Sequence, residues 1–241
     1  MLKIFRYDVT DSTNTRAREY ARQADAVFPA VFIAEGQSAG RGRRGRSFDS
    51  ERGAGLYISF LFRPEGRAAD AVKITARAAV ALARALDSVC GLSVGIKWVN
   101  DIFVGEKKLA GILTEGEINA QSGGFSYVIC GIGVNLLSRS FPPEIADIVT
   151  TVEDETGKKT DVSVLSERLI KEFFRCGDAD AMNEYKSRSI LIGRRVTVNR
   201  LNGESFAARV IGITDGGELA VEKDGGEKEL LISAEVSLKI N

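Results

Sequence analysis

Hydrophobic and polar residues follow one another along this chain in patterns that predict both strands and helices. Short apolar runs predict β-strands at residues 2–9, 30–35, 55–62, 94–98, 102–104, 107–114 and 125–137. Helix-forming composition or apolar residues at helical spacing predict helices at residues 15–24, 70–90, 163–176 and 179–187. The first part of the chain is therefore expected to combine a sheet with several helices.

From residue 193 the pattern changes to short strands separated by glycine-rich turns. Strands are predicted at residues 195–200, 205–214, 218–222, 229–232 and 235–240, with turn sequences such as Asn-Gly at 202–203 and Asp-Gly-Gly at 215–217. Five short strands within about 50 residues indicate a small β-barrel. We therefore predict two domains, residues 1–189 and 190–241.

Composition and charge exclude several classes of function. The 241 residues contain 33 Lys+Arg and 33 Asp+Glu, and this zero formal charge argues against a dedicated nucleic-acid binder. The chain has no histidine, which excludes a Ser-His-Asp triad and His-ligated zinc. No apolar stretch has the length of a signal peptide or a membrane span, and Cys90, Cys130 and Cys176 are far apart. We expect reduced thiols and a cytoplasmic protein.

The densest chemical feature is a loop of arginines and glycines at residues 39–46. It contains Gly40, Arg41, Gly42, Arg43, Arg44, Gly45 and Arg46. Guanidinium groups bind phosphate or carboxylate, and glycines allow the backbone to approach a ligand, so the loop is expected to close over an anion. Its glycine spacing also matches the dinucleotide fingerprint, but no helical pattern follows and we reject that interpretation. Taken alone, the stretch is equally typical of a flexible basic linker or of a nucleic-acid segment.

Other polar residues stand at the ends of predicted elements, and one sheet could bring them together. They are Ser12, Thr13, Asn14, Gln37, Lys97, Asn100, Asp101, Lys108 and Asn135. Six of them also have a purely structural interpretation: helix capping for residues 12–14, an Asn-Asp turn for residues 100–101, and a solvated strand lysine for Lys108.

Five stretches resemble the biotin–protein ligases in order and spacing. They are residues 11–14 (DSTN), 40–46 (GRGRRGR), 97–101 (KWVND), 108–113 (KLAGIL) and 131–135 (GIGVN). The C-terminal strands also resemble the small domain of that family. The resemblance implies an α+β fold of the class II synthetase-like type, with a mixed sheet, helices on one side of it, and a small C-terminal SH3-like β-barrel.

Three positions depart from the family pattern. Phe48 stands where tryptophan is common, Val99 where proline is common, and Ala234 where glycine is common. We expect these residues to tune packing and to leave the reaction unchanged. The chain has no room before Leu2 for a helix-turn-helix domain, so we expect a ligase without a repressor role.

The resemblance also implies a two-step reaction and the residues that carry it. The carboxylate of biotin attacks the α-phosphate of ATP, and a carrier lysine then displaces AMP from biotinyl-adenylate. Catalytic roles are implied for Lys108, Arg43 and Asp101. Biotin binding is implied for Ser12, Thr13, Asn14, Gln37, Gly40, Arg41, Gly42, Arg43, Lys108 and Gly111. ATP binding is implied for Arg43, Arg44, Arg46, Asn100, Lys108 and Asn135. Mg²⁺ is expected to be held mainly by the nucleotide, without a metal site on the protein.

The expected partner is a biotin carboxyl carrier protein domain, and the family suggests a homodimer; no nucleic acid or membrane partner is expected. Removal of residues 193–241 is expected to impair transfer more than biotin binding. One alternative is a lipoate or octanoate ligase of the same superfamily. Another is a non-enzymatic nucleic-acid or regulatory binder that uses the arginine loop.

Overall fold

The computed structural model describes residues 2–64, 71–121, 123–200, 202–232 and 234–238. The predicted helix start at residue 70 and the predicted strand end at residues 239–240 lie outside these residues.

A seven-stranded mixed sheet forms the centre of the larger part of the molecule. Its strands are β1 (Lys3–Thr10), β2 (Ala30–Gln37), β3 (Gly55–Phe62), β4 (Gly95–Lys97), β5 (Asp101–Val104), β6 (Lys107–Ile118) and β7 (Phe125–Asn135). They lie in the order β1-β2-β3-β7-β6-β5-β4. β1 and β2 run parallel, and the other neighbouring strands run antiparallel. β3, β7 and β6 therefore lie side by side in the middle of the sheet.

Helices cover both faces of this sheet. They are α1 (Thr13–Ala21), α2 (Ala71–Cys90), α3 (Val152–Thr156), α4 (Val162–Arg175) and α5 (Asp178–Ser187). The long alanine-rich α2 shares an apolar core with Ile58, Phe60 and residues of α4 and α5. α1 instead packs with Phe32 and Leu61, whose side chains point to the other face.

The implied placement of the helices on one side is therefore wrong for α1. β3 is buried at all eight of its positions, so its continuous apolar run needs cover on both faces. Helices α2, α4 and α5 provide this cover on one face, and α1 provides it on the other.

A second sheet follows, with the five strands expected from the glycine turns. They are β8 (Arg195–Asn199), β9 (Ser205–Ile213), β10 (Leu219–Lys223), β11 (Lys228–Leu231) and β12 (Glu235–Leu238). They are antiparallel in the order β11-β10-β9-β8-β12. Val196, Val210 and Leu219 belong to the same apolar core as α2. Because the core runs through both parts, the division at residues 189 and 190 stays a prediction, as does closure into an SH3-like barrel.

Two further features concern the cysteines and the character of the helices. The three cysteines are free thiols, with Cys130 and Cys176 buried and Cys90 partly buried. Within the described residues, none of the helices has the length and apolar character needed to cross a membrane.

Candidate active site

A cavity of about 600 Å³ opens between the large sheet, the arginine loop and β12. Of the predicted site residues, those that line it are Ser12, Thr13, Asn14, Gln37, Arg41, Gly42, Arg43, Arg44, Arg46, Asn100, Asp101, Lys108, Gly111 and Asn135. These residues come from seven separate stretches of the chain. The sheet brings them together, as the positions of the motifs at element ends predicted.

Gly40 is the predicted site residue that is not among those lining the cavity. A Cβ at this position would lie 2.3 Å from the carbonyl oxygen of Phe48 and 2.5 Å from Ser50 Oγ. Its carbonyl also accepts a hydrogen bond from the Phe48 amide at 2.9 Å. Gly40 therefore allows the two ends of the arginine loop to approach each other, and its role in biotin binding stays a prediction.

Two glycines of β7 make room on the floor of the cavity. A Cβ at Gly131 would lie 2.1 Å from Asn14 Oδ1, and a Cβ at Gly133 would lie 2.5 Å from the Phe48 ring. The Phe48 ring lies edge-on to Tyr57, at 6.5 Å between centroids. The phenylalanine that departs from the family pattern thus forms part of the cavity wall.

The end of the cavity beside α1 is lined by hydrogen-bonded, uncharged side chains. Ser12, Thr13 and Asn14 are each less than 5% exposed. Ser12 occupies the N-cap position without a side-chain capping bond, so capping does not account for this trio. Thr13 donates through its backbone N–H to Gln37 Oε1 at 2.8 Å, and Gln37 Nε2 donates to Ser50 Oγ at 2.9 Å.

Two residues that sequence analysis missed complete this polar end. Ser59 is fully buried, with its Oγ 2.6 Å from Asn14 Oδ1 and 2.7 Å from Thr13 Oγ1. Glu115 accepts a hydrogen bond from Asn14 Nδ2 at 2.8 Å. A serine inside the apolar run of β3 was the available signal for Ser59. Glu115 continues an ordinary strand pattern that ends in alternating acidic residues and offered no such signal.

The arginine loop is a tight turn whose four guanidinium groups all have partners. A 3₁₀ turn spans Arg43–Gly45, with Arg44 at φ 58° and Gly45 at φ 73°. Gly42 donates its amide to the Arg46 carbonyl at 2.7 Å and closes the turn. Glycine adopts the left-handed region of backbone conformation at little cost, which explains why glycine occupies position 45.

Each guanidinium partner lies on a different element. Arg43 donates to Asn100 Oδ1 at 3.0 Å. Arg41 pairs with Glu115 at 2.9 Å. Arg44 and Arg46 pair with Glu235 of β12 at 3.3 and 2.5 Å. Glu235 was not predicted as a site residue, because its partners lie almost 200 positions earlier in the chain.

Lys108 and Asp101 form an ion pair on the cavity wall. Lys108 Nζ lies 2.7 Å from Asp101 Oδ1, with the two side chains 32% and 24% exposed. The backbone of Lys108 is held on both sides, since its N–H donates to the Ile148 carbonyl and its carbonyl accepts from the Thr150 N–H. This arrangement rules out the solvated strand lysine for Lys108, whereas its neighbour Lys107 is exposed.

Burial makes two cations in the cavity unusual. It lowers the pKa of the Lys97 ammonium, with the carboxylate of Asp101 acting in the opposite direction. It also lowers the pKa of the Arg43 guanidinium, and the neighbouring Arg44 adds to this effect. A cation that has lost hydration binds an anion more strongly. The cavity is therefore suited to an anionic group beside an uncharged polar one.

Asn100 and Asn135 both line the cavity, but their amides are already engaged. Asn100 accepts from Arg43 and donates to the Ile112 carbonyl at 2.8 Å. Asn135 donates to the Thr150 carbonyl at 3.3 Å. Asn100 thus links the arginine loop to β6. The Trp98–Val99 peptide bond just before it is cis.

Comparison with known proteins agrees with this geometry. Residues 7–135 match the biotin/lipoate A/B protein ligase family, and residues 191–239 match the biotin protein ligase C terminal domain. The chain belongs to the biotin/lipoate A/B protein ligase family. Its relatives include the bifunctional ligase/repressor BirA of Bacillus subtilis, 32% identical over 96% of this chain and 73% of that protein.

Two further relatives match over almost their full length. The biotin–[acetyl-CoA-carboxylase] ligase of Paracoccus denitrificans is 32% identical over 94% of this chain and 97% of that protein. The biotin protein ligase from Aquifex aeolicus, solved in complex with biotin and ATP, superposes with a TM-score of 0.81. It is 24% identical and covers 99% of both chains. The likeness confirms the predicted fold class, a mixed sheet with helices followed by a C-terminal β domain.

Proposed function

We propose that this member of the biotin/lipoate A/B protein ligase family is a biotin protein ligase. It activates biotin with ATP to biotinyl-5′-AMP and transfers biotin to a lysine of a carrier protein. The observation that carries this proposal is the two-ended cavity. Uncharged donors and acceptors line it beside α1, whereas Lys108 and the guanidinium groups of Arg43, Arg44 and Arg46 line the part beside Asn100, Asp101 and Glu235.

The polar end favours biotin over lipoate. A ureido ring presents two N–H donors and one carbonyl acceptor, which suit the side chains of Ser12, Thr13, Asn14 and Gln37. A lipoate or octanoate chain ends in apolar atoms and would offer these side chains no hydrogen bond in place of the water that it displaces. A hydrogen-bonding group that loses its partner in this way costs about 1–3 kcal/mol. The names of the relatives and the match to the C-terminal domain support the same choice.

The cationic end suits the first step. Both reactants are anions, so the step needs charge neutralisation and alignment more than a protein nucleophile. Lys108 is held over Gly111, where a Cβ would lie 3.3 Å from its Nζ. We assign Lys108 to the junction of the carboxylate and the α-phosphate, and Arg43 to the phosphate of the adenylate.

Arg44 and Arg46 are assigned to the remaining phosphates of ATP. Both are paired with Glu235 in the structure, so an incoming phosphate competes with that carboxylate for the same guanidinium groups. Asn100 and Asn135 are assigned to the nucleotide side, where Asn100 also positions Arg43. Gly42, Arg41 and Gly111 are assigned to the walls of the biotin site.

Magnesium enters this proposal with the nucleotide. In the part of the chain that the structure describes, no group of three or more acidic, cysteine or histidine side chains is arranged to hold a metal ion. We propose that the phosphates of ATP are the main ligands of Mg²⁺, which would supply charge neutralisation there. The residues of this chain bind and orient the reactants.

In the second step a lysine amine attacks the mixed anhydride and AMP leaves. Asp101 is assigned to orient that amine or accept its proton, since its carboxylate already holds one ammonium, that of Lys108, at 2.7 Å. The carrier is proposed to be a biotin carboxyl carrier protein domain. A homodimer and a cytoplasmic location stay predictions.

One assay separates the proposed function from its alternatives. We expect the protein to release pyrophosphate from ATP with biotin and not with lipoate or octanoate, and then to label a carrier domain. Turnover with lipoate alone would indicate the related ligase class. Salt-dependent binding of DNA or RNA without any turnover would indicate a nucleic-acid binder instead.

A further inference from the structure

The cationic side chains that line the cavity differ in whether they already have a partner. They are Arg41, Arg43, Arg44, Arg46, Lys97 and Lys108. Four of them pair with a carboxylate, and Arg43 donates to the amide of Asn100. In the part of the chain that the structure describes, Lys97 has no such partner, and its Nζ lies 5.3 Å from the centre of the Phe103 ring. An anion that reaches this ammonium therefore does not have to displace a paired carboxylate.

The backbone holds Lys97 in place independently of its side chain. Lys97 is the last residue of β4, and its neighbours Ile96 and Trp98 are buried. The N–H of Ile96 donates to the carbonyl of residue 188, and the carbonyl of Ile96 accepts from the N–H of residue 190. Because side chains alternate along a strand, Lys97 and Ile96 lie on opposite faces. A substitution at Lys97 should therefore change the cavity without releasing β4.

Charged side chains from three neighbouring elements act on the Lys97 ammonium. Asp101 of β5 is directly opposite Lys97 in the strand pairing, and Lys108 of β6 pairs with Asp101 at 2.7 Å. Burial lowers the pKa of the Lys97 ammonium; Asp101 acts in the opposite direction, Lys108 adds to the lowering, and Glu235 of β12 opposes it. Lys97 is thus partly dehydrated and lies within electrostatic range of both Asp101 and Glu235.

These two carboxylates belong to the ion pairs that the proposed function assigns to different parts of ATP. Asp101 pairs with Lys108, which is assigned to the junction of the biotin carboxylate and the α-phosphate. Glu235 pairs with Arg44 and Arg46, which are assigned to the remaining phosphates. An ammonium close to both pairs is suited to the boundary between these two parts, where the bond to the leaving group breaks.

Negative charge develops at this boundary during the first step. The carboxylate oxygen of biotin forms a bond to the α-phosphorus, and the bond from that phosphorus to the α,β-bridging oxygen breaks. The electron pair of the broken bond stays on the bridging oxygen, which becomes a charged oxygen of pyrophosphate. A cation beside this oxygen stabilises the transition state more than the ground state. A partly dehydrated ammonium does so more strongly than one in water.

We propose that Lys97 is a further catalytic residue, which contacts the oxygen that leaves with pyrophosphate and neutralises the charge that develops on it. This inference rests on the proposed function, because it requires ATP to be cleaved between the α- and β-phosphates. It also separates Lys97 from Lys108 and Arg43, which are assigned to groups that remain in biotinyl-5′-AMP. The second step, in which pyrophosphate takes no part, should not need Lys97.

The test measures the two steps separately in Lys97→Met, which keeps the length of the side chain and loses its charge. We expect pyrophosphate release with ATP and biotin to be about 10²-fold slower than in the wild type, while transfer from added biotinyl-5′-AMP to a carrier domain stays within about threefold. Inhibition by added pyrophosphate should require an about tenfold higher concentration, and inhibition by AMP should be unchanged.

The matched control is Lys107→Met, since Lys107 is exposed; it should resemble the wild type in every assay. Calorimetric titration with biotinyl-5′-AMP should give the same affinity for both variants, which shows that the site of Lys97→Met is folded. Loss of that affinity would overturn the inference, because Lys97 would then hold the site together.

Two other results would also contradict this role of Lys97. One is pyrophosphate release by Lys97→Met equal to that by Lys107→Met. The other is an equal slowing of both steps, which would place Lys97 at the adenylate or behind Asp101. A wild-type protein that releases no pyrophosphate with biotin would overturn the proposed function itself.

Discussion

Lys107 and Lys108 are adjacent in β6 and have different surroundings. Lys107 is exposed, whereas Lys108 lies on the cavity wall and pairs with Asp101. The backbone bonds to residues 148 and 150 hold Lys108 in place independently of its side chain. A truncation at Lys108 should therefore remove a charge from the cavity without disturbing the strand.

We expect Lys108→Ala to release pyrophosphate about 10²–10³ times more slowly than the wild type, with a nearly unchanged melting temperature. As carboxylate and phosphate come together, negative charge concentrates at their junction, and a partly desolvated ammonium stabilises the transition state more than the ground state. Lys107→Ala is the matched control and should resemble the wild type. Equal pyrophosphate release by the two variants would remove Lys108 from the reacting centre.

We expect Arg43→Gly to leak the activated intermediate. Arg43 is half-buried in the loop and lies 3.0 Å from Asn100, a position from which it can hold the adenylate phosphate. A weaker hold raises the rate at which biotinyl-adenylate escapes, and the free adenylate acylates lysines of bystander proteins. The measurement is biotin labelling of an added unrelated protein in the presence of ATP.

Arg44→Gly is the comparison for that experiment. Arg44 has φ 58°, so glycine preserves the shape of the loop while one guanidinium is removed. This variant should leak less adenylate than Arg43→Gly. Arg44 pairs with Glu235 and is assigned to the remaining phosphates of ATP, whereas Arg43 is assigned to the phosphate of the adenylate. Labelling that stays confined to the carrier in Arg43→Gly would contradict the assignment.

At the scale of elements, Phe48, which follows the arginine loop, packs against β7. The ring of Phe48 lies against Gly133 and near Gly111. This contact gives the loop an apolar support beside its charged partners. The site therefore depends on strand residues that carry no chemistry of their own.

We expect Gly133→Ala to raise the KM for biotin about tenfold. The new methyl group would lie 2.5 Å from the Phe48 ring and would push it into the cavity; overpacking of this kind typically costs about 1–3 kcal/mol. Gly212→Ala in β9 is the control, because a Cβ there meets nothing within 4 Å. The measurement is pyrophosphate release at varied biotin, with a melting curve for each variant. The same KM in both variants would show that the contact is unimportant.

Helices α2 and α5 are joined by a network of charges around Glu184. Arg84 and Arg188 lie 2.7 and 2.8 Å from its carboxylate. Burial acts to raise the pKa of Glu184, but the hydrogen bonds from Arg84 and Arg188 outweigh it and hold the pKa below the ordinary value of 4.5. The stabilisation is therefore present above the unfolded-state pKa and is lost as the pH falls through the folded-state pKa.

We expect Glu184→Gln to lower the free energy of unfolding at pH 7 by about 1–3 kcal/mol, since two guanidinium groups lose a charged acceptor. The difference from the wild type should shrink as the pH is lowered through the depressed folded-state pKa of Glu184, because the carboxylate itself then becomes protonated. Urea unfolding at several pH values measures this. The exposed Glu227→Gln should show almost no effect, and a pH-independent difference for Glu184→Gln would argue against the charge network.

At the scale of the whole molecule, the two sheets share one core and one cavity. Trp98 donates its indole N–H to the Gly217 carbonyl at 2.9 Å. This bond ties the segment between β4 and β5 to the turn before β10. Residues 234–237 line the cavity. Buried side chains of β8, β9 and β10 continue the apolar core of α2.

The structure therefore changes the expectation for a chain without residues 193–241. We expect it to lose biotin binding as well as transfer, because its core is exposed and its cavity lacks one wall. Calorimetric titration with biotin, together with a urea unfolding curve, measures this. Trp98→Phe in the full chain removes the bond to Gly217 together with part of a buried ring, and should cost about 1–3 kcal/mol. A truncated chain that binds biotin like the full chain would restore the original expectation.

Sequence analysis identified most elements, and it failed for one short helix and for the placement of another. The five C-terminal strands were predicted from glycine turns, which act over a few residues. The five residues of α3 are too few to show a helical period, and that helix was missed. The side of the sheet that α1 covers was predicted wrongly, although β3, apolar on both faces apart from Ser59, carried the signal that both faces are buried.

The sequence by itself determined the element types and the motifs, and all but one of the site residues predicted from it line the cavity. These depend on local periodicity, turn chemistry and residue type. Only the tertiary structure decided which of those residues are partners. Glu115 with Asn14 and Glu235 with Arg44 are far apart in the chain, and strand register and helix placement bring them together. Such contacts result from the packing of the whole core, which no local pattern specifies.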